Sequence, residues 1–417
     1  MSQSMTYGDL VLQFTSKFTL RWNDKGSGGD SDGAFWQPVP PAGFKALGSI
    51  GVSGYGEANG NYAALCVKEA QSGSGALKSP ERYDFIWSDR GSGADRDGSC
   101  WRPIPPAGYV ALGDVFASGY NAPSLDDVAC VRADLVADGV IGNWIYDDRG
   151  SGADRDISTW QIQAPVTYVD ATKGLIAVNS FVGVPNYSKP TSSPVARCLC
   201  LPFPAEAFQE PEPPVLTSKS RPPATTPREV DHIVWVPFTA VQDPGQSLSW
   251  KVENSPFYQL QRQVWYDLLL FDDNRTTITQ EQEHSESVGI TTTESQTFSV
   301  TTGVSVTAEG GVSFLGTGGK VSATVSVELG YQYSTGIQQF HSKTVTVRLT
   351  TPSQTAAAVW AASYAFRLVR SDGALIPAEL DFVVDSFYHS QYPPVTAEGQ
   401  PKALFFELPP IAERVPA

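Results

Sequence analysis

The sequence predicts an all-β chain: a three-repeat β-prism, then an elongated β-domain carrying an amphipathic hairpin. Three observations predict it. The composition, with 37 Gly, 31 Pro and only 2 Met, favours strands and turns and lacks long runs of strong helix formers. One Asp- and Gly-rich loop recurs three times in the first half. Two stretches of strict period-two alternation follow in the second half.

A chain of 417 residues has room for more than one core. The expected boundaries are 1–203 for the prism, 204–230 for a Pro-rich linker and 231–417 for the second domain. Both domains are acidic, with 16 basic against 21 acidic residues in the first and 10 against 19 in the second, within a net charge of −15. Such a field repels phosphate backbones and anionic lipids, so no nucleic-acid partner is expected and membrane attachment should begin with a specific receptor. The start, MSQSMTYGDL, lacks a basic segment followed by an apolar one, and the apolar runs fall short of the ~20 residues of a spanning helix. Production as a soluble chain without a secretory signal, and release from the producing cell, is the expectation. Five cysteines do not suggest a disulfide framework, and Cys66, Cys130 and Cys198 read as buried thiols in a repeated strand.

The repeats run WNDKGSGGDSDGAFWQPVPPAGFKALG from Trp22, WSDRGSGADRDGSCWRPIPPAGYVALG from Trp87, and YDDRGSGADRDISTWQIQAP from Tyr146. In each, an aromatic closes a strand, the loop follows, and a second Trp (Trp36, Trp101, Trp160) opens the next strand. A unit this small cannot cover its own apolar face. Three should therefore close around one axis and share a core of Trp and Cys side chains. The loop carboxylates Asp24, Asp30, Asp32, Asp89, Asp95, Asp97, Asp148, Asp154 and Asp156 have a D-x-D spacing that suits calcium, but no bidentate Glu closes the loop. The favoured reading is that they accept backbone N–H bonds in tight turns and pair with Arg90 and Arg149. No cofactor is expected. The repeat resembles that of the vacuolar protein sorting-associated protein 62 family over roughly residues 18–203. Lectin-type prisms bind sugars through loops at one end, so the resemblance implies a recognition domain with these nine Asp at or near its receptor loops.

The Pro-rich segment should run extended between domains, leaving Lys219, Arg221 and Arg228 open to proteolysis. Beyond it, Phe298, Val300, Thr302, Val304, Val306 and Ala308 alternate with Ser299, Thr301, Gly303, Ser305, Thr307 and Glu309. A second strand places Val321, Ala323, Val325, Val327, Leu329 and Tyr331 against Lys320, Ser322, Thr324, Ser326, Glu328 and Gly330. Each is long enough for the ~9–11 residues of a tilted transmembrane strand. The Gly-rich segment between them, with Phe314 and Leu315, is the expected tip. Unpaired backbone cannot stay in lipid, so several copies must close a barrel. Phe298, Val300, Val304, Val306, Val321, Val325, Val327 and Leu329 then face lipid, while Ser305, Thr307, Glu309, Lys320, Thr324 and Glu328 line the lumen.

This pattern resembles the aerolysin family of β-pore-forming toxins, in its epsilon-toxin and mosquitocidal-toxin branch, over about 231–400. The resemblance implies a stored hairpin (298–331), a homo-oligomeric ring assembled on a protein or glycan receptor at the target-cell membrane, and an insecticidal use. It also implies proteolytic activation, for which Lys402 and Arg414 in the tail are candidates. Against an enzyme, the four His (His232, His284, His341, His389) show no metal-ligand spacing, and GTGGK at 316–320 lacks the earlier Gly and the hydroxyl residue of a phosphate loop. A non-lytic multimeric lectin or adhesin, and an intracellular sorting or scaffold protein, are the competing expectations.

Overall fold

A computed structural model describes residues 3–165, 173–306, 312–314, 323–325 and 342–394. The chain is all-β, as its composition predicts. Each repeat contributes one three-stranded antiparallel sheet: Phe18–Asn23, Gly33–Pro38 and Ile50–Ser53; Arg82–Ser88, Gly98–Ile104 and Val115–Ser118; Val140–Asp147, Ser158–Gln163 and Phe181–Val184. Their inner faces meet in one buried aromatic core of Trp22, Phe35, Trp87, Phe116, Tyr146 and Phe181, joined by Cys100. Trp22 is edge-on to both Trp87 (5.0 Å) and Tyr146 (5.6 Å). Such rings each bury 150–250 Å² or so, which explains why no single repeat could fold alone.

The common axis predicted from the repeats is present, but the residues filling it differ from the expected set. The first aromatic of each repeat lies inside. The second, Trp36, Trp101 or Trp160, points out of its sheet, because it sits directly opposite an outward residue: Leu20↔Trp36, Phe85↔Trp101 and Trp144↔Trp160. All five cysteines are buried and unbonded. Cys130, Cys198 and Cys200 share a small satellite core.

The second half is built on a five-stranded antiparallel sheet in the order Ala205–Ala207, Glu229–Pro237, Phe257–Asp273, Ala356–Val369, Leu375–Tyr392. Its longest strands have 17 and 18 residues, about 55–60 Å at ~3.3 Å per residue. Beside it, Gln280–Val288 pairs with Lys343–Thr351 as a two-stranded ribbon with alternating exposure.

The two halves share one continuous core. The Tyr7 hydroxyl donates to the Trp235 carbonyl (3.0 Å), Tyr7 packs edge-on to Phe203, and Phe14 meets Phe238 at 4.9 Å. The Pro-rich segment is therefore not a spacer. Ala205–Ala207 adds a strand to the sheet, Leu216 is buried, and the Pro211 carbonyl accepts from the Tyr266 hydroxyl. Lys219 donates to the Gln354 carbonyl, and Arg228 pairs with Glu379 and Asp381 while lying 3.9 Å above the Trp265 ring. The Pro-rich composition carried no information about the surface the segment lies on.

Candidate functional site

Two regions hold the residues singled out in the sequence: the loop ring at one end of the prism, and the segment enclosed by the ribbon 280–288/343–351.

In the ring, the first Asp of each loop is buried and serves as a latch. Asp24, Asp89 and Asp148 each accept, through Oδ1, the backbone N–H nine residues on, from Gly33, Gly98 and Ile157 at 2.9–3.0 Å. The other oxygen of Asp89 accepts the indole N–H of Trp22 (3.2 Å), and that of Asp148 accepts from Trp87 (2.8 Å). The first and second repeats thus each fasten their aromatic to the next repeat's loop. The third link is broken, since Tyr146 replaces the Trp and its buried hydroxyl finds no partner. Burial pushes the carboxyls of Asp24, Asp89 and Asp148 above the ordinary value, although these hydrogen bonds pull the other way.

The second Asp closes the ring through the backbone. Asp95 N–H donates to the Lys25 carbonyl, Asp154 N–H to that of Arg90, and Asp30 N–H to that of Arg149, each at 2.7 Å. The third Asp holds a tyrosine: Tyr120 donates to Asp97 and Tyr187 to Asp156, both at 2.9 Å, and Tyr55 is held by Asp32 and Asp24. Lys25, Arg90 and Arg149 lie over those rings at 5.0, 4.2 and 4.6 Å. The carboxylates of Asp24, Asp89, Asp148, Asp97 and Asp156 are dispersed among separate protein partners. Among the described residues no group of three or more His, Cys, Asp or Glu is arranged to hold a metal. The turn-acceptor reading holds for Asp24, Asp89 and Asp148, whereas Asp97 and Asp156 of the D-x-D pairs accept from tyrosine. The expected Arg pairing takes a different form, with Arg90 and Arg149 stacked on tyrosines and Arg149 only 3.9 Å from Asp147.

The enclosed segment departs from the expected hairpin. Residues Thr292–Thr302 form a helix, with a full capping box at its start: Thr291 accepts the Glu294 N–H, and the Glu294 carboxylate accepts the Thr291 N–H. Gly303 ends it with φ +75°, the left-handed conformation that glycine tolerates. Phe298 and Val300, expected on one strand face, consequently project differently. Phe298 is buried in the shared core, and Val300 is 74% exposed. Val304, also expected to face lipid, is buried beside Phe298.

The following strand is short, and its partner is not the expected one. Val304–Val306 pairs with Val312–Phe314, so Phe314 stands opposite Val304 in a strand and not at a tip. Ala323–Val325 pairs instead with Lys173–Ile176 of the first half, which sets Thr324 opposite Leu175. Ser305, Val306, Phe314, Thr324 and Val325 are described in their backbone alone, while Thr307, Glu309, Leu315, Lys320, Val321, Val327, Glu328 and Leu329 lie outside the described residues. The tail sites Lys402 and Arg414 lie outside them as well. The flanking ribbon is in unbroken register from Gln280↔Thr351 to Val288↔Lys343.

Two buried ion pairs fix the frame around this segment. Arg262 engages Asp231 through Nε at 3.0 and 2.9 Å, and Arg370 engages Asp243 at 2.7 Å through both Nε and Nη2. The Tyr258 hydroxyl completes the second site at 2.6 Å. Burial raises both carboxyls, but the hydrogen bonds from His232 and Arg262, and from Arg370 and Tyr258, leave them below the usual range.

Residues 59–207 match the family model of vacuolar protein sorting-associated protein 62, and residues 232–376 match that of the insecticidal crystal toxin P42. No curated protein matches the chain. Among solved structures it is similar to GNIP1Aa from Chromobacterium piscinae, at 34% identity over 45% of this chain and 37% of that one, with a TM-score of 0.38. It is also similar to Cry35Ab1, at 11% identity over 94% of this chain and 91% of that one, with a TM-score of 0.36. The chain spans little more than a third of GNIP1Aa. The first half is thus similar to the sorting-protein family and the second half to the crystal-toxin family.

Proposed function

We propose that the protein is a pore-forming toxin of the aerolysin type: the prism attaches it to a receptor on the target cell, several copies gather, and the segment between the ribbon strands enters the membrane as a β-hairpin. The observation that carries this reading is the ribbon register. Continued without a slip past Val288↔Lys343, it sets Val300 opposite Tyr331, Val304 opposite Val327, Val306 opposite Val325 and Ala308 opposite Ala323, with Leu315 and Gly316 at the turn. Apolar residues meet apolar residues at those pairs, and on the other face Ser305 meets Ser326 and Thr307 meets Thr324, as a lipid-facing and lumen-facing barrel strand requires. A register shifted by one residue would lose this match.

The reading requires no catalytic step or cofactor. Action at the plasma membrane as a homo-oligomer follows from the need to pair every backbone group in lipid. The test is Val300→Asp. Val300 is 74% exposed on the resting helix, so the substitution should leave melting and receptor attachment nearly unchanged. On the lipid face a charge costs about 2–4 kcal/mol per copy near the midplane and ~0–1 toward the interface where Val300 falls, less for acidic residues, and the cost recurs in every copy of the ring. Dye release from loaded insect midgut membrane vesicles should therefore fall at least tenfold, and release at the wild-type rate by attached protein would sink the face assignment.

A further inference from the structure

The two faces of the ribbon Gln280–Val288/Lys343–Thr351 carry different chemistry. On one, Gln280, Gln282, His284 and Glu286 stand opposite Thr351, Leu349, Val347 and Val345. Val347 and Leu349 pack there with Ala357 and Val359 of the five-stranded sheet, so this face is turned to the body. On the other, Glu281, Glu283, Ser285 and Ser287 stand opposite Thr350, Arg348, Thr346 and Thr344, and all eight are exposed. No apolar residue interrupts that face, and its only charges are two carboxylates and one guanidinium. Arg348 Nε engages Glu283 at 2.7 Å across the strands, while Glu281 stands opposite the uncharged Thr350. One negative charge per copy is therefore left over.

Residues two apart share a strand face. On the proposed reading, Glu281 and Glu283 thus fall on the same side as Ser305 of the first strand, and Arg348 on the same side as Thr324 of the second, which is the lumen side. Closed into a ring of copies, the exposed ribbon face becomes a belt of carboxylates at the near mouth. Rings of Glu favour cations over anions in a water-filled passage, and the effect reaches about a Debye length from the charges, ~8 Å at physiological salt. The charges that the sequence places farther along the expected lumen, Glu309, Lys320 and Glu328, are again two acidic and one basic, so they leave the sign unchanged.

We infer that Glu281, beside a Glu283 offset by Arg348, makes the pore select cations over anions at its entrance. The inference rests on the proposed pore and names the class of solute that the pore passes. The experiment adds the full chain to planar bilayers fused with insect midgut membrane vesicles, sets a KCl gradient, and reads the reversal potential of the added conductance. The wild type should pass K⁺ several-fold better than Cl⁻. Glu281→Gln removes one carboxylate per copy and should lower that ratio, Glu281→Lys should lower it further, and Arg348→Gln should raise it. Glu281 and Arg348 are exposed, so melting should be nearly unchanged in all three. Glu286→Gln, on the face turned to the body, should match the wild type. The differences should shrink in molar salt, where the charges are screened. A wild-type conductance that prefers Cl⁻, or a ratio indifferent to the charge at position 281, overturns the inference and leaves the pore reading standing. Absence of any added conductance overturns both, so the two failures are told apart.

Discussion

Ala34→Ser should stabilise the protein by about 1 kcal/mol, because it repairs a hydrogen bond that two of the three repeats make and the first does not. In the second repeat Trp101 Nε1 donates to Ser99 Oγ at 2.7 Å, and Ser99 donates onward to the Gly119 carbonyl at 2.6 Å. The third repeats the relay with Trp160, Ser158 and Asn186 at 3.0 and 2.6 Å. The first repeat reads GAFW where the others read GSCW and ISTW, and the buried Trp36 Nε1 is left without an acceptor. An unsatisfied buried donor costs about 1–3 kcal/mol, and a net hydrogen bond returns about 1 ± 0.5. The new hydroxyl is not itself stranded, since the Gly54 carbonyl corresponds to that of Gly119. A gain of this size in a region of some 200 residues should raise the melting temperature by about 2–4 °C. Differential scanning calorimetry of A34S beside S99A and S158A gives the comparison, the last two being expected to lose a similar amount or more. If A34S melts at or below the wild type while S99A is destabilised, the repeats are not energetically equivalent at this position and the reasoning is wrong.

Thr291→Ala removes the acceptor for the Glu294 N–H at 3.2 Å and should cost the helix about 1 kcal/mol. Amide exchange across 292–302 should then accelerate several-fold with little change in global melting, and unchanged exchange there would count against the capping box as the stabilising element. The pH dependence has opposite sign in the two halves. Asp24, Asp89 and Asp148 have raised folded-state values, so the stability they contribute is present at acid pH and is lost as pH rises through those raised values. Asp231 and Asp243 are lowered, so theirs is present above 3.8 and is lost as pH falls through their folded values below it. Asp89→Asn should accordingly gain less on acidification than the wild type, and Asp243→Asn should lose less at the lowest pH. Parallel melting curves for both variants would refute this assignment.

Much of the first half was legible because a repeated loop states its own geometry. Gly-rich turns, three spaced carboxylates and an aromatic at each strand end suffice to predict closure around an axis. Which aromatic fills that axis was not legible, since alternation along a strand separates two faces without saying which is inside. The long-range seam of Tyr7, Phe203 and Phe257 was also invisible, because contacts between residues so far apart along the chain have no local signature. The helix at 292–302 is a different case. Its signals, Thr291 with Glu294 and then Gly303, stand in the sequence, but the alternation of Thr, Ser, Phe and Val across the same residues reads as a strand. Burial of Phe298 decides between them in the resting chain, and neither pattern alone predicts that burial.

That conflict gives the enclosed segment its physical interest on the proposed reading. Eleven residues, Thr292–Thr302, span about 16 Å as a helix and about 36 Å as a strand. The helix therefore takes up about 20 Å of reach and draws Phe298 and Val304 into the core shared with the prism. It also scrambles the alternation, since residues two apart lie on opposite sides of a helix but on the same side of a strand. Unwinding would remove the capping box and the burial of Phe298, and in exchange align Phe298, Val300, Thr302 and Val304 on one face in continuation of Gln280–Val288. The β-branched residues that populate this stretch lose side-chain freedom in a helix and favour a strand. The capping box and tertiary contacts, and not propensity, hold the resting state, so a partner or surface that competes for those contacts is what would release it.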